Sequence, residues 1–339
     1  MSSAAIFGCS GTQLTADERA FFADADPWGF ILFARNVDTP DQLRTLIEDL
    51  RSCIGRSNAP VLIDQEGGRV QRMGPPHWPV YPKAADLASL YDETPEDAAR
   101  AVWLMSRLHA FDLSAVGINV DCLPLLDVPI EGASAIIGDR AYGMTVDRVS
   151  ELGAAACEGL LAGGVLPVVK HIPGHGRAGV DSHLELPRVV ASRDELDRTD
   201  FEPFRRLNHH ALGMTAHIVY EAVDPDAPAT LSKRVVEEVI RDFIGFDGLL
   251  MTDDLSMHAL SGDFGTRTER AFAAGCDVVL HCNGEMAEMA AVANALRPLD
   301  DDGARRAKAA MNIVASEAAD DDEAALREEF QALVSRTRR

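Results

Sequence analysis

The chain has 339 residues, 47% hydrophobic and 25% charged, a composition that can bury a large core and fits an ordinary globular protein. Its 54 Asp and Glu outnumber 32 Lys and Arg, and the formal net charge of -22 disfavours nucleic acid and anionic lipid surfaces as partners. The first residues lack the basic start and apolar core of a secretory signal, no window of about 18 apolar residues occurs, and the six cysteines form no CxxC pair, which together predict a cytoplasmic protein with reduced thiols.

Eight short apolar runs recur along the chain: "AIFG" from Ala5, "GFILFA" from Gly29, "PVLIDQE" from Pro60, "INVDCLP" from Ile118, "LPVVKH" from Leu166, "GMTAHI" from Gly213, "GLLMTDD" from Gly248 and "CDVVLHC" from Cys276. Runs that are apolar on consecutive residues predict strands covered on both faces, as in a parallel sheet. Amphipathic helices lie between them, among them Thr39 to Gly55 and Ser232 to Gly248, the latter with Ser232 as cap and Gly245 as stop. Eight β-then-α units in one composition zone predict a single (β/α)₈ barrel spanning residues 1–339. The acidic patch Asp300 to Asp302 and a last helix near Asp320 to Arg339 predict a solvated helical extension from about residue 300.

In such a barrel, chemistry gathers at the C-terminal strand ends, and ionisable residues stand there: Asp64, Asp121, Asp127, Lys170, His171, His217, Asp253 and Asp254. In "VVKHIPGHGRAGVDSHLELP", His171 and His175 are four apart, which would suit two metal ligands on a helix, but Pro173, Gly174 and Gly176 prevent that helix, so no metal is expected. The same stretch reads better as a catalytic loop. Asp181 stands two residues from His183, where a carboxylate can fix the tautomer of an imidazole that gives or takes a proton near neutral pH.

"GLLMTDDLSM" delivers at least one of two aspartates to the barrel mouth, because consecutive strand side chains point opposite ways. A carboxylate there suits a nucleophile or a stabiliser of positive charge, and Asp254 is expected to serve structure instead. In "LIDQEGGRVQRM", Asp64 can clamp vicinal hydroxyls, and Arg72 can donate to ligand oxygens, while Arg69 reads as a turn residue with a salt bridge. "IIGDRAYG" places Arg140 in a glycine-bounded loop.

These motifs, in this order and at this spacing, resemble the β-N-acetylhexosaminidases of glycoside hydrolase family 3 in their short, single-barrel bacterial form. "KHIPGHG" followed by "DSH" and "DDLSM" carries the resemblance, which covers nearly all of the chain up to about residue 300. It implies a retaining exo-β-N-acetylglucosaminidase without a cofactor, acting on small cell-wall fragments in which N-acetylglucosamine is joined to anhydro-N-acetylmuramic acid and its peptides. By the match, Asp253 is the nucleophile, His183 the acid/base and Asp181 its partner. Asp64, Arg72, Arg140, Lys170 and His171 surround the sugar.

Thr252 stands where the family has Ser, which keeps the hydroxyl, whereas Asp139 and Tyr142 replace the Ser and Phe more usual beside Arg140. A related N-acetylglucosaminide phosphorylase is the nearest alternative, since a histidine donor does not repel incoming phosphate. A catalytically silent sugar-binding barrel is the alternative from another class; the trio Asp181, His183 and Asp253 speaks against it.

Overall fold

The computed structural model describes residues 2–179, 185–299, 301–314 and 319–337. Eight parallel strands close into a barrel in sequence order: β1 (Ser3–Phe7), β2 (Pro27–Leu32), β3 (Val61–Ile63), β4 (Val120–Asp121), β5 (Leu166–Ile172), β6 (Leu212–Thr215), β7 (Leu249–Asp254) and β8 (Val278–His281). Each of the eight apolar runs supplies one strand. Alternate residues divide between two cores. Ile6, Ile31, Leu62, Val120, Val168, Met214, Met251 and Leu280, one from every strand, form an interior cluster. Phe7, Phe30, Val61, Val169, Leu250 and Val279 face outward into a second cluster shared with the helices. A period of two with both faces buried is why these runs are continuously apolar.

The helices outside the barrel include α1 (Ala16–Ala25), α2 (Pro40–Cys53), α3 (Pro95–Ser114), α4 (Val146–Ala162), α5 (Glu202–Arg206), α6 (Val235–Phe243), α7 (Phe264–Ala274) and α8 (Met286–Ala293). Thr39 caps α2 by accepting the Gln42 N–H at 3.2 Å, and Leu43, Leu46, Ile47 and Leu50 bury one stripe of that helix. Ser232 Oγ accepts the Val235 N–H at 3.1 Å, and Gly245 turns the chain away at φ 75°, as expected. Between these signals α6 is wound as a π-helix, with the Ile244 N–H donating to Val239 O five residues back at 2.8 Å.

β3 and β4 fall furthest short of their apolar runs. After β3 the chain breaks at Asp64 and forms a small antiparallel hairpin, Gln65–Gly67 with Val70–Gln71. Gly67 and Gly68 make the turn at φ 89° and 57°, and a Cβ on Gly67 would lie 2.3 Å from Pro82 O. Around β4, side chains replace part of the ladder: Asn119 Oδ1 accepts the Val61 N–H at 2.8 Å, and Asp121 Oδ1 accepts the Gln65 N–H at 3.0 Å.

The C-terminal segment, expected as a solvated addition, packs against the barrel. Ala307 and Ala310 of α9 (Asp301–Val314) join the interior cluster, so this helix stoppers the N-terminal end of the strands. Phe330 and Val334 of α10 (Glu323–Val334) are buried against α3. Around them Arg100 forks onto Glu329 at 2.8 and 2.7 Å, and Arg107, only 2% exposed, donates to Asp321 at 2.8 Å. These charges pair between segments far apart in sequence, which is why the charge-rich stretch reads as surface.

Candidate active site

Asp64 follows β3, Lys170 and His171 close β5, Asp253 closes β7, Arg72 rises from the hairpin and Arg140 lies in the loop after β4. All six line one pocket of about 200 Å³ at the C-terminal ends of the strands, together with Phe33, Ile136, Met257 and Cys282. The strand ends deliver these side chains as the barrel geometry requires.

Four of these residues and Glu66 form one connected set. Lys170 Nζ lies 2.9 Å from Asp64 Oδ1 and 2.7 Å from Glu66 Oε1, while Arg72 Nη2 donates to Asp64 Oδ2 at 2.9 Å. Arg140 grips Glu66 with both arms, each at 2.8 Å. Three cations thus meet two carboxylates in a largely buried space. Burial opposes the charge on Asp64, yet Lys170 and Arg72 override it and hold its carboxyl far below the ordinary range; against the same opposition Lys170 and Arg140 lower that of Glu66. Burial likewise opposes the Lys170 ammonium, and Asp64 with Glu66 raises it above the usual lysine value. Asp64, Glu66, Lys170 and Arg140 stay ionised across the neutral range, with donors and acceptors fixed in place for a polyhydroxylated ligand.

A second set steadies the loop after β5. Asp127, fully buried, accepts the backbone N–H of His171 at 3.2 Å and of His175 at 2.6 Å, and its other oxygen lies 2.8 Å from His171 Nδ1. The ring of His171 is thereby oriented at the pocket wall. Burial and the neighbouring His171 pull the His175 imidazole down to about 4.

Both aspartates of β7 line the pocket, and they make different contacts. Asp254 Oδ1 accepts backbone N–H groups of Ser256 at 3.0 Å and Cys282 at 3.1 Å, tying the loop after β7 to the end of β8. Asp253 Oδ1 accepts the Asp254 N–H at 2.8 Å, and the residue lines the pocket. His217 lies beneath, with Nδ1 2.7 Å from Thr230 Oγ1 and Nε2 3.0 Å from Asp254 O.

The family model described as the glycosyl hydrolase family 3 N terminal domain matches residues 8–314. The chain belongs to glycosyl hydrolase family 3, among its β-N-acetylhexosaminidases. A curated beta-hexosaminidase of Alkalilimnicola ehrlichii is 39% identical over 282 residues, covering 82% of this chain and 80% of that one. One of Pseudomonas aeruginosa is 38% identical over 289 residues, covering 84% and 83%. Among solved structures, NagZ from Neisseria gonorrhoeae in complex with N-trifluoroacetyl-D-glucosamine superposes with a TM-score of 0.85 at 32% identity, covering 99% of this chain and 97% of that one.

Within this family 3 enzyme, the pocket gathers Asp253 and all five expected binding residues. Asp181 and His183 lie outside the described residues. Arg69 is a strut, donating to Asp139 at 3.2 Å and to Ala135 O at 3.0 Å, so Asp139 ties the hairpin to the loop that carries Arg140. Tyr142 is fully buried against α3 and α4. Sequence reasoning passed over Glu66, the carboxylate shared by Lys170 and Arg140. Its signal was its place two residues after Asp64, on the same face of an extended segment. Among the described residues no group of three or more His, Cys, Asp or Glu could hold a metal ion.

Proposed function

We propose that the chain is a retaining exo-β-N-acetylglucosaminidase that frees terminal N-acetylglucosamine from small peptidoglycan fragments in the cytoplasm. The observation that carries this reading is that Asp253 lines the same pocket as the ion-paired group of Asp64, Lys170 and Arg72. Its volume, about 200 Å³, is below the roughly 300–1,000 Å³ of sites for drug-sized ligands, which suits one sugar ring.

Asp64 accepts hydrogen bonds from sugar hydroxyls, while Lys170, Arg72, Arg140 and His171 donate to ring substituents and the acetamido carbonyl. Asp253 attacks the anomeric carbon as the bond to the leaving oxygen breaks, forming a glycosyl–enzyme ester. His183 gives its proton to the departing oxygen, steadied by Asp181, and then takes a proton from the water that cleaves the ester. The three cations offset the acidic background where carboxylates of a muropeptide arrive.

The test is the hydrolysis of a 4-nitrophenyl N-acetyl-β-glucosaminide followed by NMR. Release of the β-anomer supports retention, and initial release of the α-anomer overturns it. Sugar 1-phosphate as main product in phosphate buffer would instead establish phosphorolysis.

A further inference from the structure

The tripeptide Asp64–Gln65–Glu66 places two carboxylates in the pocket group on alternate side chains, and Gln65 between them points to the opposite face. The Gln65 side chain is fully buried and grips the hairpin. Its Oε1 accepts the N–H groups of Arg72 at 3.0 Å and Met73 at 3.1 Å, and its Nε2 donates to Met73 O at 3.0 Å. The Gln65 backbone N–H donates to Asp121 Oδ1 at 3.0 Å. One carboxyl at the end of β4 therefore holds the residue around which Asp64, Glu66 and Arg72 are all arranged.

Behind Asp121 stands His109 of α3, completely buried, with Nδ1 3.7 Å from Asp121 Oδ2. That separation is too long for a hydrogen bond. Among the described residues neither this oxygen nor either His109 ring nitrogen has a hydrogen-bond partner. The His109 ring meets Tyr81 edge-on at 4.4 Å between centroids, and Tyr81 O accepts the Gly68 N–H at the hairpin turn at 3.0 Å. Asp121 thus contacts the hairpin directly, and His109 reaches it through Tyr81.

We propose that Asp121, backed by His109, is a positioning residue for the pocket: it fixes Gln65 by its backbone N–H and thereby places Asp64, Glu66 and Arg72. The inference rests on the reading of that pocket as the sugar site. Asp121 acts as a neutral acceptor. Burial pushes its carboxyl well above the usual carboxylate range and, together with Arg327, lowers the His109 imidazole to about 3. An asparagine keeps the same shape and the same acceptor oxygen, whereas alanine removes both.

The experiment compares Asp121→Asn and Asp121→Ala on a 4-nitrophenyl N-acetyl-β-glucosaminide, with Asp121→Leu, an apolar side chain of similar size, in case the alanine variant does not fold. Misplacement by about 1 Å costs on the order of 10²-fold, so kcat/KM should fall roughly 10- to 100-fold with Ala or Leu, largely in KM, and return to within about threefold of wild type with Asn. An Asn variant as impaired as Ala would overturn the neutral-acceptor role. Lowered Tm with unchanged KM per folded molecule would reduce Asp121 to a structural residue. A crystal structure of the Ala or Leu variant needs no substrate: residues 64–66 unmoved would sink the inference even if the wild type proved inactive on glycosides, an outcome that would count against the sugar-site reading instead.

Discussion

Lys170 Nζ lies 2.7 Å from Glu66 Oε1, with both side chains almost wholly removed from solvent, and Glu66 also receives both arms of Arg140. A carboxylate shared by two cations sets the position of each. Removing it leaves two buried positive charges with Asp64 as their nearest opposite charge. Breaking a buried ion pair from one side costs about 3–5 kcal/mol. Glu66→Ala is therefore expected to lose stability on that scale in urea unfolding and to raise KM in assays of the folded fraction. Wild-type stability in this variant would contradict the account.

The pH dependence of the same group has a definite sign. Asp64 and Glu66 are held below their ordinary values, so their contribution is present above about pH 4 and is lost as pH falls through their lowered folded-state values. Lys170→Met removes the shared cation and should move the acid-unfolding midpoint, followed by circular dichroism, to higher pH than in the wild type. An unchanged midpoint would mean that the ammonium contributes nothing to the ionised state of the two carboxylates.

For the reaction itself, Asp253→Ala should lower kcat on an aryl N-acetyl-β-glucosaminide by on the order of 10³-fold or more. Activity within tenfold of wild type would refute its role as nucleophile. Trapping with a 5-fluoro N-acetylglucosaminyl analogue followed by peptide mapping should place the label on Asp253.

His183→Ala should slow substrates with poor leaving groups by about 10²–10⁴-fold and activated aryl substrates far less, because an acidic leaving group departs without a proton. Equal losses on both would show that His183 binds the substrate and does not protonate it.

Asp127 offers a test of loop placement. It satisfies two buried backbone N–H groups and one imidazole nitrogen. Each buried donor left unmatched costs about 1–3 kcal/mol, so Asp127→Ala should unfold at clearly lower urea concentration and lose activity through a displaced His171. Asp127→Asn, which retains an acceptor for the backbone, should recover most of the stability. A variant series with no such difference would remove Asp127 from this role.

The barrel was legible because each strand is apolar on consecutive residues, and Ser232 and Gly245 marked the ends of α6 by local chemistry alone. The π-winding between them was not legible, since cap and stop signals are the same for either winding. Asp64, Arg72, Arg140, Lys170 and His171 were found by motif and do share one pocket with Asp253. Glu66 was missed because an acidic residue before two glycines reads as a turn. The grip of Asp127 on residues 44 and 48 positions further on is a tertiary fact that no local pattern announces. The C-terminal segment looked solvated because charges that pair with distant residues, as Asp321 does with Arg107 and Glu329 with Arg100, are indistinguishable, in one dimension, from an exposed surface.

With α9 seated under the strands and Leu280, Met214 and Ile31 among the residues lining the pocket, the barrel offers no through-passage. Whatever enters must withdraw by the way it came.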